Sequence, residues 1–178
     1  MIRVFTNVER FVVGTVGVPG ERTFFIQSRS SQDFISLSIE KMQVDALSQR
    51  LRYMVKEIRL SDPLVAVKRY EKDSKPLETP IEDEFRVGSI AIFFDESTGL
   101  IQVDLRELSQ FIDDEDGDED SLNSDISIAR IFITLEQALA FADRADAVIS
   151  AGRVDCPFCA LPINPQGHLC ARANGYRR

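Results

Sequence analysis

Apolar and polar residues alternate with a period of two through Phe34, Ile35, Ser36, Leu37, Ser38 and Ile39. The period then lengthens to that of a helix, with Leu47, Leu51, Met54, Val55 and Ile58 on one face. Upstream, residues 10–17 (RFVVGTVG) and 22–29 (RTFFIQSR) are rich in β-branched and aromatic types. Val18, Pro19, Gly20 and Glu21 between them carry turn chemistry, so the two stretches predict a hairpin. The first third of the chain therefore reads as three strands followed by a helix.

The same order recurs. Residues 84–94 (EFRVGSIAIFF), a turn at Glu96 to Gly99, residues 100–108 (LIQVDLREL) and residues 126–133 (ISIARIFI) predict three more strands, and Leu135 to Ser150 predicts a helix. Thr134 stands at the N-cap of that helix, with Gln137 at the capping-box position. At an offset of 94, Ile39, Gln43, Ala46 and Arg50 fall on Ile133, Gln137, Ala140 and Arg144. At an offset of 74, Phe11, Val13 and Gly14 fall on Phe85, Val87 and Gly88. The expected fold is therefore α+β: two βββα repeats, about residues 9–58 and 83–151, related by internal duplication. Together they form a domain over residues 1–152, with two helices covering the sheets about a pseudo-twofold axis. Residues 61–82, with Pro63, Pro76 and Pro80 among charges, read as a connection in which Leu64 to Val67 offer a short extra strand. Gly14 reads as a kink in its strand.

Charge adds one feature. The net charge is -8, but Asp113, Asp114, Glu115, Asp116, Asp118, Glu119 and Asp120 lie in one run, and setting those seven aside leaves -1. The body is near neutral and has no basic stripe to neutralise phosphates, which speaks against nucleic acid as a partner. The acidic run lacks the EF-hand pattern, because Ile112 and Asn123 occupy the first and last ligand positions. A solvated, mobile loop is expected there. No apolar run reaches the roughly 18 residues that a membrane span needs, and the start (MIRVF) lacks the apolar core of a signal peptide. A cytoplasmic location is expected.

The chemistry is concentrated at the C-terminus. All three cysteines and the single histidine of the chain lie in Cys156-Pro157-Phe158-Cys159 and His168-Leu169-Cys170. A CxxC turn aims two thiolates at one centre, and residues i and i+2 of an extended segment face the same way, so His168 and Cys170 converge on it. A Cys₃His set suits tetrahedral zinc. Iron–sulfur clusters usually take cysteine at all four places, and c-type haem would need histidine where Ala160 stands. The rival is a redox pair at Cys156 and Cys159, which normally sits at a helix N-terminus; Pro157, Pro162 and Pro165 oppose a helix here. Four protein ligands close the site, the mark of a structural zinc ion. With His168 committed, no second imidazole remains for a general base. No glycine-rich phosphate loop is present, and Glu9, Glu21, Asp95 and Glu96 are explained by strand ends and turns.

ERFVVGTVGVPGERTFFIQ, EFRVGSIAI and CPFCALPINPQGHLCARANGYRR resemble the DUF3090 family, uncharacterised proteins found mainly in actinobacteria. The family usually has glycine after the second cysteine and proline after the last, where this chain has Ala160 and Ala171. The resemblance implies no established activity. The expected function is a non-enzymatic binding or adaptor protein. In it, a zinc-clasped module (residues 153–178) presents Arg172, Asn174, Tyr176, Arg177 and Arg178 to a protein partner or back onto the body. The rival is an enzyme or ligand-binding protein that takes a phosphorylated small molecule between the two halves, with Arg10, Arg22 or Arg86 holding the anion.

Overall fold

The structure is a computed structural model that describes residues 1–18, 20–109, 126–152, 155–161, 163, 168, 170 and 172. The acidic run at 113–120 lies outside these residues. The fold is mixed α+β. In chain order come β1 (Ile2–Phe5), β2 (Val8–Val16), β3 (Thr23–Ser30), β4 (Phe34–Ile39), α1 (Lys41–Ser61), β5 (Val87–Asp95), β6 (Leu100–Glu107), β7 (Ile128–Ile133) and α2 (Leu135–Ser150).

Two antiparallel hairpins seed the sheets. The β2–β3 turn closes through Glu21 N–H to the Val18 carbonyl at 3.0 Å, with Gly17 and Gly20 at φ of 102° and 104°. In the β5–β6 turn, Gly99 N–H reaches the Asp95 carbonyl at 2.8 Å, and the Asp95 carboxylate accepts from the Ser97 and Thr98 hydroxyls. Such side-chain acceptors are why Asp, Ser and Gly populate turns. Each hairpin carries a bulge at the start of its first strand, between Val8 and Arg10 and between Val87 and Ser89.

The sheets are ordered β2-β3-β4 and β1-β7-β6-β5. Strand β1, which the alternation pattern did not predict, pairs in parallel with β7, Ile2 opposite Ile128 and Phe5 opposite Ile131. Across the molecule the segment before β5 does the same to β4: Glu84 N–H donates to the Ser36 carbonyl at 3.0 Å, and Ser38 and Arg86 form a parallel bridge. Each hairpin's lead-in segment thus completes the other hairpin's sheet. Leu64 to Val67 add no strand; Val65 and Val67 instead pack partly buried against the core.

One core joins both sheets and both helices. Phe11, Val13, Ile26 and Leu37 come from one sheet, Ile101, Val103, Leu105 and Ile131 from the other, and Leu47, Leu51, Val55, Ala138 and Phe141 from the helices. Phe11 and Phe141 stack with centroids 4.6 Å apart. Full burial of such side chains stabilises by about 1.5–3 kcal/mol each. The helices start alike. Thr134 and Gln137 form the expected capping box on α2 (3.2 Å and 2.9 Å), and Gln43 Oε1 accepts the Glu40 N–H at 3.1 Å on α1. Both glutamines then spend their amide N–H on the other hairpin: Gln137 on the Val8 carbonyl (2.6 Å), Gln43 on the Gly88 carbonyl (2.9 Å).

The connection after α1 has no regular structure, yet it is tied down along its length. Gln27, 2% exposed, exchanges two hydrogen bonds with the Glu78 backbone (2.9 Å and 2.8 Å), satisfying a buried amide that would otherwise be costly. Leu77 lies over Gly14, where an added Cβ would come within 2.6 Å of its Cγ. A side chain at position 14 would therefore displace Leu77, and the β2–β3 register runs through Gly14 without a bulge.

Candidate metal centre

The C-terminal segment leaves α2 at Ala151, whose carbonyl accepts from Arg22 at 3.2 Å; Arg22 also takes the Val148 carbonyl at 3.3 Å. Helix α2 has no basic residue in its last turn, so Arg22, at the mouth of β3, supplies the cation that helix C-termini favour. Beyond it the chain makes a tight turn: Ala160 N–H bonds to the Cys156 carbonyl and Cys156 N–H to the Leu161 carbonyl, both at 2.8 Å. Ala160 has φ of 57°, a left-handed conformation that favours glycine.

That turn brings the four predicted ligands together. The sulfurs of Cys156, Cys159 and Cys170 and a ring nitrogen of His168 all lie within 4.8 Å of one another. Cys156 Sγ is 3.8 Å from Cys170 Sγ, and Cys159 Sγ is 3.3 Å from His168 Nε2. Metal–sulfur bonds of about 2.3 Å and metal–nitrogen bonds of about 2.0–2.1 Å at tetrahedral angles require edges of roughly 3.5–3.8 Å; the Cys156–Cys170 pair at 3.8 Å matches such an ion, and the Cys159–His168 pair at 3.3 Å would open slightly to admit it. Cys156 and Cys170 are buried, while Cys159 and His168 are half-buried. His168 Nδ1 is buried with no partner among the described residues. Nε2 is the ring nitrogen that faces Cys159 Sγ.

The thiols are set apart electrostatically. Burial opposes ionisation of Cys156, but the backbone N–H groups of Phe158 and Cys159, with the Cys159 and Cys170 thiols, outweigh it and hold Cys156 down to about 7. At Cys159 the Leu161 N–H favours the thiolate, yet burial and the Cys156 and Cys170 sulfurs push its pKa up. Three sulfurs this close cannot all carry charge without a cation among them. The residues fit a metal ion, and all four donors would be spent on it.

Such a pattern over nearly the whole chain can be compared with known families. The family model described as "Protein of unknown function (DUF3090)" matches residues 3–170. The chain belongs to the DUF3090 family. No curated protein and no solved structure matches it. The matched span ends on Cys170, so all four metal-site residues of this DUF3090 chain lie inside it.

Arg172 is exposed and donates to the Phe158 carbonyl at 3.3 Å, folding back onto the CxxC turn. Asn174, Tyr176, Arg177 and Arg178 lie outside the described residues. Each of the three arginines offered as the anion's holder is engaged within the protein. Arg10 is bidentate on Asp73 (2.6 Å and 3.0 Å) and reaches the Lys75 and Pro76 carbonyls; Arg22 caps α2; Arg86 pairs with Glu40. Among the described residues, no helix is long and apolar enough to cross a membrane. What pattern reading missed is the set of charged pairs that fasten the connection, since their partners lie about 60 to 70 residues away in sequence. Arg10 with Asp73 and Arg144 with Asp73 are examples.

Proposed function

We propose that the ion is zinc, that it is structural, and that this DUF3090 protein is a non-enzymatic binding or adaptor protein. In this reading the C-terminal module, residues 153–178, is ordered by the metal and presented to a protein partner. The observation that carries the metal reading is the convergence of three sulfurs and one imidazole within 4.8 Å. A soft Cys₃His set selects zinc over the hard cations, and four protein donors leave no position for water or substrate. The non-enzymatic reading is supported by the use of the only histidine in that set. It is also supported by the engagement of Arg10 and Arg22 in the body's own contacts.

The two halves, in this reading, descend from one βββα unit. Support comes from the paired bulges, the reciprocal contacts of Gln43 and Gln137, and the lead-in segments that each complete the opposite sheet. Those features align at offsets of about 79–80 for the hairpins and 94 for the helices. Glu9 then corresponds to Gly88, in place of the pairing of Gly14 with Gly88 that the sequence matches gave.

Elemental analysis tests the metal. Protein purified without chelator is expected to carry about one zinc per chain, and Cys159→Ser is expected to lose it. A wild-type chain that holds no zinc, or a Cys159→Ser chain that keeps it, refutes the assignment.

A further inference from the structure

Two grooves run beside the two helices, and corresponding residues line them. The first lies between α2 and β2, with Glu9, Phe11, Gln137 and Ala140 on its walls. The connection after α1 lies across it, contributing Tyr70 and Asp73. Arg144, on α2, anchors that segment: its guanidinium donates to the Asp73 carbonyl at 2.6 Å, to the Asp73 carboxylate at 2.9 Å, and to the Val13 carbonyl of β2. Lys68 N–H to Glu136 (2.7 Å) and Tyr70 hydroxyl to Asp143 (3.1 Å) complete the attachment. A stretch of chain without regular structure is thus held between a helix and an edge strand by Arg144, which reads the Asp73 carboxylate and its carbonyl, while Arg10 of β2 takes the same carboxylate.

The second groove, of about 350 Å³, lies between α1 and β5 and is lined only by those two elements and Gly88 to Ile92 of the strand. Gln43 stands where Gln137 stands, Ala46 for Ala140 and Ile90 for Phe11; Arg50 corresponds, at the helix offset of 94, to Arg144, which meets the first groove through Asp73. Among the described residues no connecting segment lines it. Arg50 is exposed, and among the described residues its guanidinium has only the Tyr53 ring, 5.5 Å away, for company. Strand β5 is the last of its sheet, so among the described residues its outer backbone edge pairs with no further strand, and Gln43 takes the Gly88 carbonyl. An unpaired edge beside an apolar trough is a place where an extended chain binds.

We propose that the α1–β5 groove docks an extended segment of a partner protein bearing an aspartate or glutamate. The carboxylate and a neighbouring carbonyl sit on Arg50, and apolar side chains lie against Ile90 and Ile92. The charge is complementary, the molecule already holds its own chain this way in the other groove, and the inference does not depend on the metal centre.

The test is selection of 12-residue peptides from a random display library on the full, metal-replete chain. The expected outcome is enrichment of peptides in which an acidic residue is flanked by apolar ones. Arg50→Ala is expected to weaken their binding by about tenfold or more, the loss of a charge-assisted hydrogen bond. Because Arg50 is exposed, that variant should melt with wild type. Arg50→Glu is expected to favour peptides carrying lysine in place of the acid. No enrichment, or enriched peptides that bind Arg50→Ala as well as wild type, overturns the proposal. Self-association that Arg50→Glu abolishes also overturns it, because the occupant would then be a second copy of this chain.

Discussion

At the scale of single residues, Asp104 shows how a charge is kept inside this fold. It is 1% exposed, and Arg130 from the neighbouring strand meets it with two hydrogen bonds of 2.9 Å and 2.7 Å, while Gln102 adds a third at 2.9 Å. Burial alone would raise the carboxyl pKa, but these donors and the Arg130 charge hold it below the usual range. A carboxylate with a depressed folded-state pKa contributes stability that is present above its unfolded value near about 3.9 and is lost as pH falls through the folded value. At neutral pH, Asp104→Asn is expected to cost about 1–3 kcal/mol, discounted from a fully buried pair because Arg130 is partly exposed. In an acid titration followed by urea unfolding, the gap between wild type and variant should close below about pH 4. A gap that stays constant to pH 2 would mean the pair carries no pH-dependent stability.

At the scale of elements, the glutamines at the helix starts link each helix to the opposite hairpin. Gln137 serves the Thr134 cap with its oxygen and the Val8 carbonyl with its nitrogen, so Gln137→Ala loses both and is expected to cost about 1–2 kcal/mol. Gln43→Ala, which loses the Glu40 N–H and the Gly88 carbonyl, should cost a similar amount by thermal or chemical unfolding. A loss below about 0.3 kcal/mol for both would show that water replaces these bonds freely. The elements themselves were largely legible. Helix α2 runs over the predicted residues because Thr134 and Gln137 mark its start locally, and the alternation in 34–39 marks β4. Strand β1 was not, since four residues carry too little periodicity and the strand exists by virtue of β7, about 126 positions away. The connection read as no more than a connection because what fastens it comes from Gln27, Arg10 and Arg144, none of which is near it in sequence. The metal ligands were legible for the opposite reason: all four lie within 15 residues, so spacing alone brings them together.

At the scale of the molecule, the question is how far the metal centre supports the body. Cys156 and Cys170 are buried, yet neither belongs to the core that unites the sheets and helices. Arg22, on the carbonyls of Val148 and Ala151, closes α2 just before the C-terminal segment begins and does not involve the metal. The segment has little apolar material of its own to bury, so its order is expected to come from the ion, whose binding free energy becomes folding free energy. The core of the body is built without any of the four ligands. Withdrawing the metal with a chelator is therefore expected to leave the far-ultraviolet circular dichroism of the helices and the main melting transition nearly unchanged. It should also open sites for limited proteolysis after Gly152 and leave a resistant fragment of residues 1–152. Re-adding zinc should restore protection. If chelation instead lowers the main transition by several degrees, the centre is part of the body's fold and the module cannot act as a separable docking element. If the segment stays resistant to protease without metal, its order comes from packing, and the zinc reading of its four ligands loses its physical basis.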